Sequence, residues 1–98
     1  MKIAILSNGV NVDLHLGKGE SAYIYLSEND FELIDYKFIS INKEEKHQSA
    51  KVINALNDCD VIIAQDFGFK AKIKAEENNI ILYRADGPIN EAYKDFMN

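Results

Sequence analysis

Apolar and polar positions follow two different periods along this chain, and the changes of period mark its elements. Lys2–Leu6 (KIAIL) is a near-continuous apolar run, the pattern of a strand covered on both faces. SNG (Ser7–Gly9) ends it, with Gly9 free to adopt positive φ. Ala22–Ser27 (AYIYLS) is rich in aromatic and β-branched residues and reads as a second strand. Glu28–Asp30 has turn chemistry. Phe31–Ile41 then alternates, with Ile34, Tyr36 and Phe38 on one face and Asp35 and Lys37 on the other. That pattern predicts a half-buried strand, antiparallel to the second because the connection is short.

The period then lengthens. In KHQSAKVINALND, Ala50, Ile53 and Leu56, with Val52 beside them, fall on one helical face. Asp60–Gln65 (DVIIAQ) is another buried strand. A helix is predicted from about Gly68 to Asn78, where Phe69 and Ile73, and Ala71 and Ala75, are spaced four apart. Ile80–Arg84 is the fifth strand. DGP starts a last helix, with Pro88 suited to its first turn and Ile89, Ala92, Tyr93 and Phe96 marking an amphipathic face.

The resulting order is β-β-β-α-β-α-β-α. Two crossovers through helices make strands 1, 4 and 5 parallel, with right-handed connections. The second strand, reached through a loop, is expected antiparallel to the first. The prediction is an α/β fold of three layers: a mixed five-stranded sheet in the order 3-2-1-4-5 with helices on both faces. A single domain over residues 1–98 is expected, since 98 residues hardly hold two cores.

Composition narrows the function classes. The net charge is −5, and no Lys/Arg-rich block relieves it, so generic nucleic-acid binding is disfavoured. The single cysteine, Cys59, cannot form an intramolecular disulfide, which points to a reducing, cytoplasmic setting. No apolar run has the length of a membrane span. A core this small is only marginally self-sufficient, so monomer and homodimer both stay open.

In an open α/β sheet, ligands gather beyond the carboxyl ends of the parallel strands. That edge collects Ser7, Asn8 and Gly9 after the first strand, Asp66, Phe67 and Gly68 after the fourth, and Asp86 and Gly87 after the fifth. The loop carrying His15 (VDLHLGKGE) starts from the same edge. It should lie near the N-terminus of the helix beginning at about Gly68, whose free N–H groups and positive dipole end favour an anion. His15 is then either an imidazole ligand for iron or another soft metal, or a loop histidine bonded to backbone groups. Lys18, Lys70 and Arg84 are candidate neutralising charges.

The element order resembles that of the ribonuclease H-like fold. Two-metal nuclease chemistry on it needs converging carboxylates, one within the first strand, to hold ions about 4 Å apart. KIAIL supplies none, and Asp13 with Asp66 is too sparse a set. Cys59 precedes a buried strand at the far end and reads as structural. Ser7 or Ser21 with His15 has no hydrolase signature around it, and GKGES lacks the spacing of a phosphate cradle.

These pieces together resemble the dinitrogenase iron–molybdenum cofactor biosynthesis family, small ribonuclease H-like proteins that occur as nitrogenase accessory domains and as stand-alone chains. MKIAILSNG matches the opening MKIAVAS strand. HLG (His15–Gly17) matches the HFG motif, with Leu16 in place of the aromatic residue. KHQSAKVINAL matches the segment leading into the first helix, and places His47 there. CDVIIAQDFG matches a DVVI strand entering a glycine loop, here with Gly68 alone. NIILYRADGPINEAY matches the closing strand and helix. Order and spacing carry the similarity over nearly all of the chain.

The resemblance implies a non-enzymatic carrier for an iron–sulfur or iron–molybdenum cluster or its precursor, with cluster donor or acceptor proteins as partners. It puts His15 in contact with the cluster. Gly17 would keep the loop compact, and Asn8, Gly9, Asp66 and Gly68 would line the site. A cofactor-free interaction or regulatory module, pairing through the exposed edge strand Phe31–Ile41, is the competing reading. A strand-end pocket for a nucleotide or a small hydrolase substrate is a third.

Overall fold

The computed structural model of the chain describes residues 1–12, 15–16, 20–29, 31–41 and 48–98. These residues form the strands β1 (Lys2–Leu6), β2 (Asn11–Val12), β3 (Ser21–Leu26), β4 (Glu32–Phe38), β5 (Val61–Ala64), β6 (Ile81–Arg84) and β7 (Gly87–Pro88). The helices are α1 (Ser49–Ala55), α2 (Phe69–Glu77) and α3 (Ile89–Met97). Five strands form the main sheet in the order β4-β3-β1-β5-β6. β1, β5 and β6 run parallel, while β3 is antiparallel to both β1 and β4. This is the expected α/β arrangement, because the five predicted strands are β1, β3, β4, β5 and β6.

The alternation of side chains across the sheet builds two cores. Ala4, Leu6, Ile24, Ile62 and Ala64 point to one face and meet Val52, Ile53 and Leu56 near α1 and Ala71 and Ala75 of α2. Ile3, Ile5, Val61 and Ile63 point to the other and meet Ile89, Ala92, Tyr93 and Phe96 of α3. The residues of β1 from Ile3 to Leu6 and of β5 from Val61 to Ala64 are wholly buried, as continuous apolar runs at the sheet centre require. Each fully buried Ile or Leu side chain contributes about 1.5–3 kcal/mol of transfer free energy.

The two faces are covered unequally. A helix with its side chains is about 10 Å across, and strands are about 4.8 Å apart, so one helix shields roughly two strands. α1 and α2 together cover one face. α3 alone covers the other only over its central and β6 side, and β4 is left bare. This corrects the expectation that the third predicted strand, Phe31–Ile41, is half-buried. Leu33, Tyr36 and Phe38 are 50%, 51% and 71% exposed. The register also shifts between Ile24 and Tyr25, with Asp35 opposite the first and Leu33 opposite the second. Ile34 is the extra residue of a bulge, so Leu33 rather than Ile34 is in phase with Tyr36.

Three smaller differences have local causes. Ala50 is exposed, because α1 turns Val52, Ile53 and Leu56 inward. On α2 the alanine pair faces the sheet, and Phe69 and Ile73 face out. β2 and β7 form a two-residue antiparallel ladder in which Val12 opposes Gly87, too short to leave a periodic trace. Among the described residues no helix is long and apolar enough to cross a membrane.

Candidate functional site

The segment after β2 returns to the carboxyl edge of the sheet. His15 makes an isolated parallel bridge with Asp66, and the N–H of Leu16 donates to the Asp66 carbonyl at 2.8 Å. The Leu16 side chain is completely buried, packed into the core beneath α1 and α2. His15, the residue before it and the one that makes the bridge, is exposed. An apolar anchor thus fixes the chain locally and presents the imidazole at the rim. Gly17, Lys18, Asp13 and His47 lie outside the described residues.

Asp66 lies two residues past the end of β5, and its carboxylate is occupied. It accepts the Phe67 N–H at 2.9 Å and lies 3.1 Å from the Arg84 guanidinium. Arg84 donates to the Phe67 carbonyl at 3.1 Å and sits over the Phe67 ring, 4.6 Å from its centroid. The ion pair is more than half exposed at both ends, so its worth to stability is at most about 1 kcal/mol. Its electrostatic effect is local: Arg84 offsets the negative charge that Asp66 would otherwise present to an anion. Among the cations named from the sequence, Arg84 has this defined partner. The β5–β6 register makes the pair, since Arg84 opposes Ala64, two residues from Asp66.

Gly68 is the N-cap of α2, extended at φ −96° and ψ −178°, and no side chain caps the helix. The first-turn N–H groups therefore have no intrahelical acceptor, and they follow directly on the loop that His15 bridges. A Cβ at Gly68 would meet nothing within 4 Å, so the space before the helix is open. An open groove of about 520 Å³ runs on from Gly68 between α2 and β6, lined by Phe67, Phe69, Lys72, Ile81 and Arg84 among others. His15 is not part of its lining.

Asn8 and Gly9 sit at the end of β1, on the same edge. The Asn8 Oδ1 accepts the N–H groups of Val10 and Asn11 at 3.2 and 3.5 Å, which closes the turn into β2. Gly9 has φ +122°, and a Cβ there would lie 3.2 Å from the Tyr23 hydroxyl. Both residues are accounted for by the turn. Ser7 is buried, and its hydroxyl donates to the Asn11 carbonyl and accepts from the Gly9 N–H. The Ser21 hydroxyl donates to the Ser7 carbonyl. These contacts hold both serines in the β1–β2 turn. The structure thus brings His15 to Asp66, two residues before the Gly68 N-cap, and places Asn8 and Gly9 in the turn between β1 and β2.

Cys59 lies at the opposite end of β5 and is buried. Burial, reinforced by the neighbouring Asp58 carboxylate, pushes its thiol up to about 11. Among the described residues no three His, Cys, Asp or Glu side chains converge as a metal-ion site.

The family model for the dinitrogenase iron–molybdenum cofactor matches residues 1–98. The crystal structure of PH0822 superposes with a TM-score of 0.75 at 18% identity, covering 99% of this chain and 88% of that one. The NMR structure of TM1290 from Thermotoga, a candidate NifB protein of the DUF35 family, gives 0.68 at 21% identity, covering 98% and 86%. At these identities the two structures show the shared fold. No curated protein matches the chain significantly.

Proposed function

Because the chain belongs to the dinitrogenase iron–molybdenum cofactor family, we propose that it is a non-enzymatic carrier that holds an iron–sulfur or iron–molybdenum cluster, or a precursor of one, as cargo at His15. The observation that carries this reading is the bridge between His15 and Asp66, which sets an exposed imidazole on the loop that leads into the uncapped start of α2. A bare metal ion needs several protein ligands. A preformed cluster brings its own sulfides, and one imidazole is enough to tether it.

The remaining residues fit an anionic cargo. The N–H groups at the start of α2 offer hydrogen bonds and a positive dipole end. Arg84 offsets Asp66, so that carboxylate does not stand bare against the cluster. A single protein ligand also suits hand-over, because one exchange at one imidazole releases the cargo to an acceptor protein.

The test is anaerobic reconstitution of the wild-type chain and His15→Ala with an iron–sulfur or iron–molybdenum cluster, read by metal content and visible absorption. The wild type should retain the cluster through gel filtration and the variant should lose it, with both chains melting at the same temperature. Equal retention by the two proteins, or none by either, would overturn the assignment.

A further inference from the structure

We propose that the outer edge of β4 is an interface on which a second copy of this chain docks, in one antiparallel register centred on Tyr36. The inference is independent of the cargo reading, because β4 is at the far side of the sheet from β5 and Asp66.

The backbone sets which residues can take part. Ile39 donates its N–H to the Glu20 carbonyl at 2.7 Å, and Lys37 and Asp35 oppose Ala22 and Ile24 of β3. Hydrogen-bonding direction alternates along a strand, so the N–H and C=O groups of Tyr36 and Phe38 point away from β3. Among the described residues no strand pairs with them. The Tyr36 N–H is held instead by the Asp35 carboxylate, at 2.8 Å. The edge is therefore capped by one of its own side chains.

The side chains then select the partner. Leu33, Tyr36 and Phe38 oppose Tyr25, Tyr23 and Ser21 of β3, so they share the face that α3 leaves bare. Glu32, Asp35 and Lys37 share the opposite face. A two-fold axis normal to the sheet must pass through a residue opposite itself. Centring on Asp35 sets like carboxylates face to face, and centring on Lys37 sets like ammonium groups face to face. Centring on Tyr36 puts Asp35 of each copy opposite Lys37 of the other, twice. In that register the Tyr36 pair exchanges both of its hydrogen bonds. Each Phe38 lies beside the Leu33–Ile34 step of its partner, and each Asp35 gives up the Tyr36 N–H to face a lysine. The result is a ten-stranded sheet with a joined apolar strip where each single sheet was bare. The other edge, β6, has four residues and no complementary charges of this kind (ILYR).

The experiment is sedimentation velocity on the full chain across a broad concentration series, combined with cysteine placement. The weight-average sedimentation coefficient should rise to that of a dimer. In the Tyr36-centred register, Tyr36→Cys brings two thiols to a Cα separation of about 5.5 Å, within disulfide reach, so mild oxidation should give a covalent dimer. Phe38→Cys places its thiols about 14 Å apart and should stay monomeric. Asp35→Lys should weaken association roughly tenfold, and the Asp35→Lys/Lys37→Asp pair should restore it, each protein being checked for an unchanged melting transition. Lys37 also meets Asp58, so should the double variant fail to fold, the cysteine comparison decides alone. A monomer at every concentration, or equal cross-linking at positions 36 and 38, would overturn the proposal.

Discussion

The Lys2 ammonium donates to Asp58 Oδ2 at 2.6 Å, and Asp58 Oδ1 lies 3.5 Å from the Lys37 ammonium. This cluster ties the first strand and the edge strand to the turn before β5. The hydrogen bond from Lys2 is the main cause that holds the Asp58 carboxyl below its ordinary value, and the same bond raises Lys2. A carboxyl lowered in the folded state adds stability above its unfolded value of 3.8, and that stability is lost as pH falls through the folded value. A raised lysine adds stability below 10.5 that is lost as pH rises through its folded value. Asp58→Asn should therefore cost about 0.5–1 kcal/mol between these limits, measured by urea unfolding at several pH values. The difference from wild type should vanish in strong acid.

Cys59 should be chemically silent in the folded chain. With its thiol pushed to about 11 by burial and by Asp58, little thiolate exists at neutral pH, and the sulfur is covered as well. Reaction with a disulfide reagent at pH 7.5 should follow global unfolding and become fast in denaturant. Fast modification of the native chain would contradict the placement of this residue.

Two glycines should respond oppositely to the same substitution. Gly9→Ala must adopt φ +122° against the Tyr23 hydroxyl and should cost roughly 1–3 kcal/mol. Gly68→Ala meets open space at an ordinary φ and should change stability by no more than about half a kcal/mol. Thermal melting of the two variants measures both.

Leu16→Ala removes a wholly buried side chain and should destabilise the chain by about 2–5 kcal/mol. Because Leu16 anchors the His15 segment to the core and to Asp66, cluster retention should also fall in this variant at temperatures where it remains folded. His15→Ala, by contrast, should leave the melting temperature unchanged.

The strand order was readable because β1 and β5 are apolar runs that only a sheet centre can bury, and because crossover handedness leaves few topologies. The rim position of His15 was readable from the same topology. The exposure of Tyr36 and Phe38 was not. Alternation in a sequence says which residues share a face, but not whether a helix lies over that face, and here α3 leaves Leu33, Tyr36 and Phe38 of β4 exposed. The bulge at Ile34 also escapes pattern reading, since one extra residue leaves the local composition unchanged. The Asp66–Arg84 pair was hidden for another reason. The two residues are distant along the chain, and only the β5–β6 register brings them side by side.

Among the described residues the attachment at His15 is an isolated bridge and not a ladder, held by the Leu16 N–H on the Asp66 carbonyl. Such a join opens at the low end of the free-energy scale for local unfolding. Amide hydrogen exchange should thus be faster at Leu16 than at Ile5 or Ile63. A protein able to pull on the turn after β5 would loosen the imbedded leucine's backbone and the imidazole together, and a small mechanical event at the rim would become a way of letting go.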